Sequence, residues 1–177
     1  MLFRSLLALP LFALAAGGIS SGGGNVLEPV DPRNPAGRAE VKDMIPRARN
    51  ALLGYLRAKR LDWSAGRLSG EERADFGALF SASRDVLGVS AATPVDVELE
   101  EPCFDFAENP VDGSIRSDEK FPSICLSALT ISRRVERADI PAQSAALLAH
   151  EVSELVGFGE EQAVRLQSRV LNDFRGR

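Results

Sequence analysis

Ala149-His150-Glu151-Val152-Ser153-Glu154-Leu155-Val156-Gly157-Phe158-Gly159-Glu160-Glu161-Gln162-Ala163 contains the only histidine of the 177-residue chain. The stretch reads as the end of one helix, a glycine turn and the start of a second helix. His150 and Glu154 stand four positions apart, so on a helix they share a face. Glu151 follows His150 and precedes Glu154 by three, so it borders the same place. Glu160 comes just after the turn, where an antiparallel second helix would carry it back towards His150. A helical hairpin is therefore expected, with one imidazole and several carboxylates at its open end.

The flanking sequence extends both arms. Asp139-Ile140-Pro141 marks the start of the first, because proline suits a first helical turn. Ala145, Leu148, Val152 and Leu155 form its apolar stripe, with Leu147 near the Glu151 and Glu154 side, and Gly157 ends it. Residues 160–174 form the second arm, with Ala163, Val164, Gln167, Val170, Leu171 and Phe174 facing inward.

Upstream the texture is strand-like. Val95-Asp96-Val97-Glu98-Leu99-Glu100 alternates apolar and acidic residues, the pattern of a strand with one wet face, and Phe104 and Phe106 continue it. Asn109-Pro110-Val111-Asp112-Gly113 signals a turn. Residues 121–127 read as a second strand, and residues 128–135 as a short helix capped by Ser127. The acidic residues from Asp96 to Glu108 repeat with a period of two, which suits an exposed strand face and no compact calcium loop.

Two helices precede the strands. Val41, Met44, Ile45, Ala48, Leu52, Leu53 and Leu56 give residues 39–60 an apolar face, with Pro46 expected to start or kink the helix. Arg47, Arg49, Arg57, Lys59 and Arg60 form its solvated side. Ser69 and Glu72 make a capping box for a helix reaching about Leu87, with Phe76, Leu79, Phe80 and Val86 apolar and Gly88 as the stop. Trp63, between the two, is expected as a core or staple residue. Residues 17–38, with Gly22-Gly23-Gly24 and three prolines, read as a flexible linker that acts as a spacer.

Composition narrows the class. Apolar content of 45% supports one core, and a net charge of −4 gives no basis for nucleic-acid binding. Residues 1–16 have the form of a secretory signal: Arg4, an apolar run too short to span a bilayer, and Ala13-Leu14-Ala15 as a cleavage site. The mature chain is thus expected to be periplasmic or secreted, with no stable membrane span. In that oxidising setting Cys103 and Cys125 are expected to pair. The domain layout is signal peptide 1–16, linker 17–38 and a single domain 39–177.

The opening stretch resembles the His-Glu-x-x-His motif of the gluzincin zinc peptidases, in which a following helix carries Glu-x-x-Ala. Glu160-Glu161-Gln162-Ala163 fits the second element. The resemblance implies a zincin-like α+β fold: N-terminal helices, a small disulfide-braced sheet and a C-terminal hairpin bearing the motif. It implies His150 and Glu160 as metal ligands, with Glu161 as the fallback for the latter, and Glu151 as the general base. Where the family has its second histidine this chain has Glu154, a carboxylate that also ligates metals. Two anionic ligands weaken zinc as a Lewis acid and bring manganese or iron into contention.

The function implied is an exported metallopeptidase-family protein, weakened or degenerate as a catalyst, that takes a peptide or protein substrate if active. The alternative class is a non-catalytic periplasmic binding or interaction domain with no metal. There the glutamates would be solvated polar residues, and Glu160 and Glu161 would serve the helix dipole.

Overall fold

The structure, a computed structural model, describes residues 23–87, 94–116 and 122–176. The proposed signal at 1–16, Gly22, Gly88 and Phe121 lie outside them, as does the side chain of Val86. Among the described residues the fold is α+β, with five helices and two small sheets.

Helix α1 (Arg38–Ser64) buries Val41, Ile45, Ala48, Leu52, Tyr55 and Leu56 on one stripe. Pro46 lies inside the helix and neither starts it nor ends it. Its exposed position allows the carbonyl one turn back to turn towards water. Trp63 belongs to the last turn of α1. It is 43% exposed and packs on Phe80 at 5.8 Å between ring centroids, so it covers the edge of the core and is not buried in it.

Helix α2 (Gly70–Leu87) opens with the capping box. Glu72 N donates to Ser69 Oγ at 3.2 Å, and Ser69 N donates to Glu72 Oε2 at 2.9 Å. The bond from the Ser69 N–H holds the Glu72 carboxyl below its usual range, and the Ser69 side chain adds to this. Phe76, Leu79 and Phe80 face the core.

Five strands follow: β1 (Val95–Glu98), β2 (Cys103–Phe104), β3 (Pro110–Val111), β4 (Gly113–Arg116) and β5 (Ser123–Ser127). The larger sheet has the order β1-β5-β4, with β1 parallel and β4 antiparallel to β5. Central β5 is buried at all five residues. Strand β1 does not show the expected wet face. All four of its residues are half-buried, because Val95 and Val97 pack on the core while Glu98 is held by Arg116 at 2.7 Å.

Strands β2 and β3 pair as a separate antiparallel ribbon. The expected alternation stops at Phe104, and Phe106 falls in the turn; both rings are exposed. The turn is made by Asp105, not by residues 109–113. Its carboxylate accepts from the N–H groups of Ala107 at 2.9 Å and Asn109 at 2.8 Å. Residues 110–113 instead carry the chain out of the ribbon into the larger sheet.

Cys103 and Cys125 form a disulfide with a Cα–Cα distance of 6.0 Å. It joins the ribbon to β5, so it ties two sheets together and not two hydrogen-bonded neighbours. Val111 completes this small buried cluster.

Helix α3 (Ala128–Arg134) is capped by Ser127, whose Oγ accepts from Thr130 N at 3.2 Å. A 3-10 turn leads into α4 (Ile140–Leu155), and α5 (Glu160–Arg175) returns antiparallel to it. Gly157, at φ 92°, makes the reversal: its N–H donates to Glu154 O at 2.8 Å. Helix α4 is the centre of the fold, packed by α1, α5 and β4.

The described part of the expected linker, residues 23–37, is more than a spacer. Gly24, Val26 and Ala36 are buried, and Val30 N donates to Arg134 O at 2.9 Å. Glu136 receives the N–H groups of Arg33 and Asn34.

Two stability predictions follow from these contacts. Ser69→Ala removes the cap and is expected to cost about 1 kcal/mol at neutral pH by urea denaturation. The depressed Glu72 carboxyl means that its share is present above the unfolded-state value and lost as pH falls through the lower folded value. The difference between Glu72→Gln and wild type is therefore expected to shrink in acid. Replacing both Cys103 and Cys125 by alanine is expected to cost about 3 kcal/mol, from the closed loop of 22 residues.

Candidate metal centre

Helix α4 has no solvent side along most of its length: every residue from Gln143 to Glu154 is buried. An all-round apolar sequence is the ordinary solution for such a helix. This one instead brings His150, Glu151, Ser153 and Glu154 inside. Ser153 is satisfied locally, its Oγ donating to His150 O at 2.7 Å. The other three form the site.

His150 Nε2 lies 3.8 Å from Glu154 Oε2 and 3.8 Å from Glu160 Oε2. One ligand atom from each of the three residues falls within 4.8 Å of the others. The His150 and Glu154 side chains are 1% exposed, whereas that of Glu160 is 53% exposed. The group thus reaches from the core to the surface. The i,i+4 spacing on α4 supplies two members, and the Gly157 reversal supplies the third from the first turn of α5. Glu161 is exposed and does not belong to the group.

Glu151 is fully buried beside them. Its Oε1 accepts the Gly24 N–H at 3.1 Å, while Oε2 has no hydrogen-bond partner among the described residues. Burial drives its carboxyl well above the usual range. The nearby negative charge of Glu154 adds to this, Glu160 contributes a smaller push, and the Gly24 bond opposes it. Gly113, at the start of edge strand β4, closes on the same carboxylate: a Cβ there would stand 2.9 Å from Glu151 Oε1.

The donor set suits a divalent cation. One nitrogen and two carboxylate groups converge, and a cation would offset the negative charge of Glu154 and Glu160 that adds to the effect of burial on Glu151.

Sequence reading identified the three members of the group and Glu151. It did not foresee Gly24 and Gly113, whose relevance lies in the absence of a side chain. The glycine run at 22–24 was the one available signal for the former.

A clamp between α2 and α5 holds the first turns of α5, the helix that begins with Glu160. Buried Asp75 accepts from Arg165 Nη2 at 3.1 Å and Gln162 Nε2 at 3.3 Å, and Arg169 Nη2 approaches to 3.8 Å. No family model matches the chain, and no curated protein or solved structure does so either.

Asp75→Ala is expected to lower stability by ~2 kcal/mol, since it strips a buried acceptor from charged donors. Urea denaturation measures it.

Proposed function

We propose that the chain is an exported, gluzincin-like protein of the metallopeptidase kind, with one divalent cation held by His150, Glu154 and Glu160. Zinc is the first candidate, and the two carboxylate donors keep manganese and iron as alternatives. The observation that carries the reading is the convergence of the three ligand atoms within 4.8 Å, beside a buried carboxyl on the next residue. Bound there, the cation would supply the Lewis acidity that makes water a nucleophile near neutral pH.

The chain's own groups account for the remaining roles. Glu151 Oε2, without a hydrogen-bond partner among the described residues, is the atom that takes a proton from water. The charge of a bound cation would keep Glu151 ionised for that step, and burial then favours the protonated form that passes the proton to the departing amine. Strand β4 is an edge of the larger sheet, the side on which an extended peptide or protein substrate would pair. The Cys103–Cys125 bridge is in keeping with an oxidising compartment. No described helix is long and apolar enough to cross a membrane.

A second reading, a non-catalytic binding or interaction domain, draws on a different observation. Two of the three candidate ligands are only 1% exposed, and one of them is a carboxylate where the family resemblance calls for histidine.

Glu154→His distinguishes the two. The substitution keeps the spacing, removes a negative charge and supplies a second imidazole. Zinc binding, titrated against a competing chelator, is expected to tighten at least about tenfold, or ~1.4 kcal/mol. Any gain in hydrolysis of unstructured peptides is expected to vanish when Glu151→Gln is added. Zinc affinity that is absent or unchanged in a folded Glu154→His protein would defeat the metallopeptidase reading.

A further inference from the structure

The main chain at Gly24 lies directly on the site. Its N–H donates to Glu151 Oε1 at 3.1 Å, and its carbonyl accepts from Gly113 N at 3.0 Å. Gly113 begins β4, an edge of the larger sheet. Asp112 O accepts from Ser127 N on the β5 side, so alternation turns the Gly113 N–H outward, to the side that an added strand would use. Gly24 therefore engages both the sheet edge and the buried carboxylate. An extended peptide reaching Glu151 from β4 would need those same groups.

The approach is close enough to require glycine. A Cβ on Gly24 would stand 2.5 Å from Glu151 Oε1, 2.8 Å from Leu147 Cδ1 and 3.0 Å from His150 Cδ2. On the other side of the segment, among the described residues, three polar bonds and the buried Val26 side chain anchor it. Val26 N donates to Asp112 Oδ2 at 2.8 Å, Gln167 Nε2 donates to Asn25 O at 2.7 Å, and Arg134 Nη1 donates to Asn25 Oδ1 at 3.2 Å. Val26 is the buried apolar side chain among residues 23–26. Among the described residues no helix or sheet strand has to break for this segment to lift, so its opening is expected to cost less than global unfolding.

The geometry points to residues 23–26 as a displaceable strap that occupies the peptide track and shuts the His150–Glu151 site. The inference rests on the reading of that site as one that admits a peptide, and it adds the regulation: the site opens when the strap leaves β4 and Glu151. The segment is an internal ligand, main chain against carboxylate, and its glycine is what allows the fit.

The test uses the full chain and its single histidine. Diethylpyrocarbonate modifies accessible imidazole, and with one histidine in the chain the ultraviolet absorbance of the carbethoxylated imidazole reports His150 alone. Gly24→Ala is expected to expel the strap and speed the reaction at least about tenfold, with the circular dichroism of the helices retained. Gln167→Leu, which removes one anchor at similar volume, is expected to give a smaller increase. Gly54→Ala, where an added Cβ meets nothing within 4 Å, is expected to react like wild type.

Hydrogen exchange of the wild-type Gly24 and Val26 amides provides a check that needs no variant. Both are expected to exchange by local opening, faster than the amides of α4. A wild-type modification rate in folded Gly24→Ala would overturn the strap, as would Gly24 exchange as slow as that of the α4 core. These readouts need no metal. Faster His150 modification without zinc binding in any variant would leave the strap standing and remove the metal. Tighter zinc binding in Glu154→His with unchanged His150 reactivity in Gly24→Ala would do the reverse.

Discussion

Everything in this fold is arranged around the burial of a helix that carries charge-capable groups. Helix α4 is enclosed over residues 143–154, yet His150, Glu151 and Glu154 sit on it with almost no exposure. Uncompensated burial of such groups costs several kcal/mol each, so the surroundings must answer them. They do so locally: Glu154 and Glu160 approach the imidazole, and the Gly24 N–H reaches Glu151.

The remaining elements place those answers. The capping box sets the start of α2 and so the position of Asp75, which clamps the first turns of α5 through Arg165 and Gln162. Glu160 is the first residue of the helix so held. The disulfide fastens the β2–β3 ribbon to central β5, and the chain leaves the ribbon at Asp112 to begin β4. Asp112 is thus held at a junction, where it accepts both Arg134 and the Val26 N–H. Two glycines, Gly24 and Gly113, then allow main chain to come against Glu151 from two directions.

Local pattern was enough for most of the helices. The α4–α5 hairpin, the Ser69 and Ser127 caps and the Gly157 reversal follow from spacing and from residues with a definite backbone preference. The pairing of Cys103 with Cys125 followed from their number and an inferred compartment. The strands were less legible. The β1 alternation pointed to a wet face that its neighbours half cover. The Asn109-Pro110 signal pointed to a turn, although Asp105 had already closed the ribbon. Short strands owe their limits to the partners they meet, and those partners are distant in sequence.

The sequence by itself determined that His150, Glu151 and Glu154 share one region of a helix and that a glycine turn brings Glu160 back, because helical periodicity and the left-handed reversal are local properties. Only the tertiary structure decided that this face is buried, that β4 runs beside it, and that residues 23–26 close over Glu151. Those facts depend on contacts between residues far apart in sequence, 127 apart for Gly24 and Glu151 and 142 apart for Asn25 and Gln167. A glycine main chain makes them through atoms that every residue possesses, so no side-chain pattern announces them.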